Sequence, residues 1–165
     1  MEISAIESAI SFDRHHSIYS SGLSVAKLSN EDWAISNPTD KTAHTIVCTP
    51  DYRKAYIHAS EDSVHSSKEI ADLGLLRIPI ECRFIHESIV SLHAACVEDG
   101  SCAVCFTGDS GVGKSTRARA WVEALGAEFI SGDRPAVRLE ENGSVACGVP
   151  WDGKEQIFRN VERPL

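Results

Sequence analysis

Eight residues constrain this chain more than any others: Gly108-Asp109-Ser110-Gly111-Val112-Gly113-Lys114-Ser115. They fit G-x-x-x-x-G-K-[ST], the pattern of a loop that wraps phosphate. Such a loop needs backbone angles that a Cβ forbids, which is why its corners are glycine. Its N–H groups converge on the anion. Lys114 is expected to reach the outer phosphates, and the Ser115 hydroxyl to bind a divalent cation. A helix starting near Lys114 would aim its positive end at the same point. The flanks agree with this reading. Cys102-Ala103-Val104-Cys105-Phe106-Thr107 is a short apolar run suited to a buried strand. Ala118, Trp121, Val122 and Leu125 recur at helical spacing on one face, and Gly126 stands where a helix C′ residue belongs.

Composition narrows the partners. The 165 residues carry a formal net charge of −8, with 42% hydrophobic and 24% charged residues. This is ordinary for a globular protein and argues against a nucleic-acid or anionic-membrane surface. The N-terminus Met1-Glu2-Ile3-Ser4-Ala5-Ile6-Glu7 has neither a basic segment nor a long apolar one, so no signal peptide is expected. No apolar run reaches the length that spans a bilayer. These features predict a cytoplasmic protein. Of six cysteines, Cys102 and Cys105 form a C-x-x-C spacing within a predicted strand. Their odd offset sends the side chains to opposite faces. No second ligand pair supports zinc. All six are therefore expected to be reduced, buried and apolar in role. The seven histidines, His15, His16, His58 and His65 among them, show no paired ligand spacing.

Residues 1–66 predict a small, mostly β region. Strands are expected at Ile18-Tyr19-Ser20, Thr45-Ile46-Val47-Cys48-Thr49 and Ala55-Tyr56-Ile57-His58-Ala59. Turns are expected at Ser21-Gly22, Asn37-Pro38-Thr39-Asp40 and Pro50-Asp51. Residues 67–165 predict the phosphate-binding domain. It opens with helical pieces over 67–74 and 75–88. Pro79 is tolerable only in a first turn, and Ile80, Phe84 and Ile85 should face the core. One strand is expected over 89–97, followed by Glu98-Asp99-Gly100-Ser101. Asp-Gly between two apolar strands predicts a hairpin. The strand entering the loop would then pair antiparallel with its predecessor. In the widespread doubly wound folds, that strand instead sits in a parallel sheet. Beyond the helix, Glu128-Phe129-Ile130-Ser131 reads as a strand leading to Gly132-Asp133-Arg134. Asn142-Gly143 predicts a second hairpin, and a loop comes next over 149–155.

From His93 to about Arg138, the chain resembles the catalytic domain of the HPr kinase/phosphorylase family, which is structurally related to phosphoenolpyruvate carboxykinases. His93 before a hairpin, the loop sequence itself, one helix, and Asp133-Arg134 carry the resemblance. It implies a β-rich mixed α/β fold around the loop. It implies ATP and Mg²⁺ as cofactors, with γ-phosphate transfer to a serine hydroxyl of a protein or peptide. The nucleotide set would be Gly108, Asp109, Ser110, Gly111, Val112, Gly113, Lys114, Ser115 and Thr116. Mg²⁺ would lie on Ser115 and Asp133, and the catalytic set would be Lys114, Asp133, His93 and Arg134, with Lys154 as a further cation. Self-assembly and further strands beyond Leu165 are also implied. The family places an acidic pair after the helix, whereas Gly132 stands here in place of the first acid. That leaves Asp109, Asp152 and Glu155 as alternative bases. It also keeps open a second reading, a regulatory module that binds ATP without turning it over.

Overall fold

The computed structural model describes residues 1–6, 18–20, 23–37, 45–58, 73–151 and 157–165. The chain forms two compact units, Met1–Arg83 and Phe84–Leu165. Among the described residues, no helix is long and apolar enough to cross a membrane.

The first unit is built on a six-stranded sheet. Its strands are β1 (Glu2–Ile6), β2 (Ile18–Ser20), β3 (Leu23–Lys27), β4 (Trp33–Ser36), β5 (Thr45–Cys48) and β6 (Lys54–His58). They lie in the order β1-β6-β5-β4-β3-β2. Every neighbouring pair is antiparallel except β1 with β6, which is parallel in the register Glu2↔Lys54 to Ile6↔His58. The strands expected near residues 18, 45 and 55 are present; β1, β3 and β4 add to them. The turns expected at 21–22 and 38–40 lie outside the described residues, as do His15, His16 and His65. His58 is buried.

Helix α1 (Leu73–His86) comes next. Its Leu75 and Leu76 are buried with Ile35, Ile46, Cys48 and Ala55, and Ile78 and Ile80 pack on that cluster. Burial of a Leu or Ile is worth about 1.5–3 kcal/mol, so this contact holds the helix to the sheet. The division between units falls inside α1, after Arg83; the boundary expected at residue 66 lies outside the described residues. Two expectations are corrected. Pro79 sits in the middle of α1, not its first turn, and its ring is fully buried although it removes one helix hydrogen bond. Ile85 is 71% exposed rather than in the core.

In the second unit, the single strand expected over 89–97 is two. β7 (Ile89–Ser91) and β8 (Ala94–Asp99) belong to different sheets, separated by Leu92-His93. The break arises because the backbone on both sides answers to a third segment: the Leu92 N–H donates to the Pro135 carbonyl (3.0 Å) and the Ala94 N–H to the Asp133 carbonyl (2.8 Å). β9 (Cys102–Thr107), α2 (Lys114–Leu125) and β10 (Glu128–Ser131) come after β8. Strands β8, β9 and β10 make a three-stranded sheet, β10-β8-β9, with β8 antiparallel to both neighbours. The hairpin from β8 to β9 closes on Asp99↔Cys102, and Gly100 supplies the positive φ its turn requires.

α2 covers one face of this sheet. Its Ala118 is buried with Ala95, Val97 and Ala127, and Trp121 and Val122 pack there too. Trp121 meets Phe106 edge-on at 5.4 Å between ring centroids. Leu125, expected on that face, is 59% exposed. Gly126 ends the helix in the left-handed conformation, its N–H on the Val122 carbonyl.

The other face packs Cys96, Ala103 and Ile130 against Ala146 and Val161. Ala146 comes from a four-stranded sheet in the order β13-β12-β11-β7. Here β11 is Ala136–Glu140, β12 is Gly143–Cys147 and β13 is Glu162–Pro164. The second expected hairpin joins β11 to β12, closing on Glu140↔Gly143. The fold is thus mixed α/β and rich in antiparallel sheet.

Candidate functional site

Sheet topology brings the sequence-predicted residues together. Because β8 runs against both neighbours, its first residue lies at the sheet end where β9 and β10 finish. His93 precedes β8, the glycine-rich loop follows β9, and Gly132-Asp133-Arg134 follow β10. Three segments distant in sequence meet at one rim. A β-bulge between Phe129 and Ser131 shifts the β10 register by one residue and re-aims Gly132-Asp133-Arg134 beyond it.

Gly108, Gly111 and Gly113 have φ of 143°, 84° and 95°. Gly113 caps α2 with no side-chain hydrogen bond, and the Arg117 N–H takes its carbonyl at 2.9 Å. The N–H groups of Lys114, Ser115 and Thr116 therefore have no partner within the helix. No acidic residue occupies the first turn, so nothing on α2 itself neutralises the positive end of its dipole. The Lys114 ammonium bends back over the loop, donating to the carbonyls of Gly108 (2.9 Å) and Asp109 (3.0 Å). An ammonium has three donors, so one remains to face a ligand. Asp109, Ser110 and Val112 are exposed, Ser115 is half-buried and Thr116 is exposed. Beside the loop lies a cleft of about 490 Å³, lined by Cys105, Phe106, Thr107, Val112, Gly113, Lys114 and Arg117.

At the same rim, His93 Nε2 stands 3.4 Å from Asp133 Oδ1, and Arg134 Nε 3.8 Å from Asp133 Oδ2. The Arg134 N–H donates to Ser131 Oγ at 3.2 Å, fixing the turn that presents this carboxylate. Gly132 is buried, and its N–H donates to the Ile157 carbonyl at 2.9 Å. The segment 157–158, unplaced by sequence, is thereby tied to the end of β10, where Phe158 also bridges Ser131. Among the described residues, no group of three or more His, Cys, Asp or Glu gathers for a metal. A Mg²⁺ shared with phosphate oxygens would need only one or two protein oxygens, which the Ser115 hydroxyl and the Asp133 carboxylate could supply. Lys154, Asp152 and Glu155 lie outside the described residues.

Sequence reasoning missed Arg117. It follows Lys114 by three residues, so both fall on one side of α2, and that spacing was the available signal. It also missed Cys105 and Thr107 as cleft walls. Cys102 is exposed and Cys82, Cys105 and Cys147 are only half-buried, against the expectation of burial; Cys48 and Cys96 are buried. No protein-family model, curated protein or solved structure matches this chain.

Proposed function

We propose that the chain is an ATP- and Mg²⁺-dependent phosphotransferase of the HPr kinase type, moving the γ-phosphate to a serine hydroxyl of a protein or peptide. The observation that carries this reading is the meeting, at one sheet end, of the glycine-rich loop with His93, Asp133 and Arg134. The amides of Lys114, Ser115 and Thr116, the spare donor of Lys114, and Arg117 supply positive potential for a triphosphate. Held by Ser115 and Asp133, Mg²⁺ would neutralise charge on the transferring phosphoryl group. His93 orients the Asp133 carboxylate, and Arg134 lies close enough to share its charge. Phosphoryl transfer is mainly positioning and electrostatics, so these groups can serve without a dedicated strong base.

Gly132 favours a second reading. Its buried backbone is tied to Ile157, and no side chain there can take an acceptor proton. A module that binds ATP without turnover would fit this. Incubation with γ-labelled ATP, Mg²⁺ and extract of the source cells separates the two. Label on a seryl residue of a protein or peptide is the expected result. Tight ATP binding with neither transfer nor hydrolysis would overturn the kinase reading in favour of the second.

A further inference from the structure

Cys96 and Cys105 face each other across β8 and β9. The hairpin register decides how. A turn of two residues makes the closing pair, Asp99 and Cys102, hydrogen-bonded, and pairs alternate from there. Cys96 and Cys105 therefore form a non-hydrogen-bonded pair, the narrow kind, with Cα atoms about 4.5 Å apart. That lies within the span a disulfide bridges. Their sulfurs are 3.1 Å apart. An S–S bond of about 2.05 Å thus needs an approach of only about 1 Å. Cys96 is fully buried, and Cys105, half-buried against the same cluster, also borders the cleft beside the glycine-rich loop.

We propose that Cys96 and Cys105 are a peroxide-reactive thiol pair that closes into a reversible disulfide in the wall of the cleft. The Cys105 thiolate attacks one oxygen of hydrogen peroxide. An S–O bond forms, the O–O bond breaks, and the departing hydroxide leaves as water after taking a proton. The Cys96 sulfur then loses its proton and displaces hydroxide from the Cys105 sulfenic acid. The S–S bond forms, the S–O bond breaks, and a second water leaves. Two thiols are oxidised by two electrons and one peroxide is reduced to two waters.

Two other cysteines set the contrast. The side-chain hydrogen bond between Cys105 and Cys96 holds the Cys105 thiol below its ordinary value against the opposing effect of burial. Burial pushes Cys48 up to about 12, which suits an inert structural thiol. Cys102 is exposed but lies on the opposite face of β9 from Cys105, so those two cannot close without turning the strand.

The test is peroxide treatment of the full chain, followed by non-reducing digestion at Glu98 and Asp99, which separates Cys96 from Cys105, and mass spectrometry. The expected product is a peptide pair joined through Cys96 and Cys105, two hydrogens lighter and released by dithiothreitol. It should persist in Cys102→Ser and vanish in Cys105→Ser and in both Cys96→Ser and Cys96→Ala. Sulfinic acid at Cys105 without linkage, or oxidation confined to Cys102, would overturn the proposal. A second arm rests on the ATP reading. At ATP about ten times its Kd, only the free fraction reacts, so linkage should slow about tenfold. A disulfide forming at an unchanged rate would support the thiol pair and count against ATP in this cleft.

Discussion

Gly113 and Gly148 are both glycines that their surroundings require, for opposite reasons. A Cβ built on Gly113 meets nothing within 4 Å, yet its φ of 95° suits a residue without one. A Cβ on Gly148 would stand 1.7 Å from the Arg159 carbonyl oxygen. The Gly148 N–H is also bound to the Val161 carbonyl at 3.0 Å. One glycine gives the backbone a shape around open space; the other lets two backbones touch. Gly100, Gly126 and Gly143 combine positive φ with the same open space at two hairpin turns and a helix end, so that pairing alone marks no ligand site. On the proposed function, Gly113 shapes a loop that receives a phosphate, while the Gly148 contact holds two backbones together.

The largest effect is expected where the receiving role concentrates. Lys114→Ala should lower phosphoryl transfer about 10³-fold, near 4 kcal/mol in barrier, with an unchanged urea midpoint. Equal loss of stability would move Lys114 to the holding side of the comparison. Gly148→Ala should do the reverse. The methyl cannot fit without shifting backbone, so about 3 kcal/mol of stability is lost, read from the urea midpoint at constant slope. ATP affinity measured below the unfolding transition should be retained. A smaller change sharpens the contrast. Gly113→Ala should cost only about 1 kcal/mol of stability, for strain at positive φ, while weakening ATP binding disproportionately. If stability falls as far as in Gly148→Ala, the space beside Gly113 is not open in solution.

The smallest effect belongs to the β11–β13 side. Arg138 donates to both carboxylate oxygens of Glu162 at 2.9 Å and holds its pKa below the ordinary 4.5. A carboxylate depressed in the folded state stabilises above its unfolded pKa and loses that contribution as pH falls through the folded one. Both side chains are substantially exposed, so the contribution is slight. Glu162→Gln should flatten the acid limb of the stability profile below pH 4.5 and leave ATP binding untouched. An unaltered acid limb would show that the pair contributes nothing.

The contrast also marks what could be read from sequence. The glycine-rich loop, both hairpins and the Gly126 stop carry their signals within a few residues, where turn chemistry acts. Their positions in the fold agree with the sequence reading. What escaped depends on partners far along the chain. Ile89 to Val97 reads as one strand because it is mostly apolar and holds no Gly, Pro, Asn or Asp to mark a turn; only Asp133 and Pro135 reveal the break at Leu92-His93. Pro79 reads as a helix start because burial of its ring is a tertiary matter. The parallel pairing of β1 with β6 joins residues some fifty positions apart, and no local pattern encodes it. Gly148 gives no sequence sign of its role, since the carbonyl that excludes a side chain belongs to Arg159. The Cys96–Cys105 pair was within reach: counting back from a two-residue turn at Gly100-Ser101 places them opposite each other.

The most direct test of the central claim is a ¹H–¹⁵N titration of the unmodified chain with Mg²⁺ and ATP. The amides of Gly111, Gly113, Lys114, Ser115 and Thr116 should shift the most and saturate together, while Gly148 stays still. Saturable shifts centred anywhere else, or none at millimolar ATP, would contradict the claim that this loop receives a triphosphate.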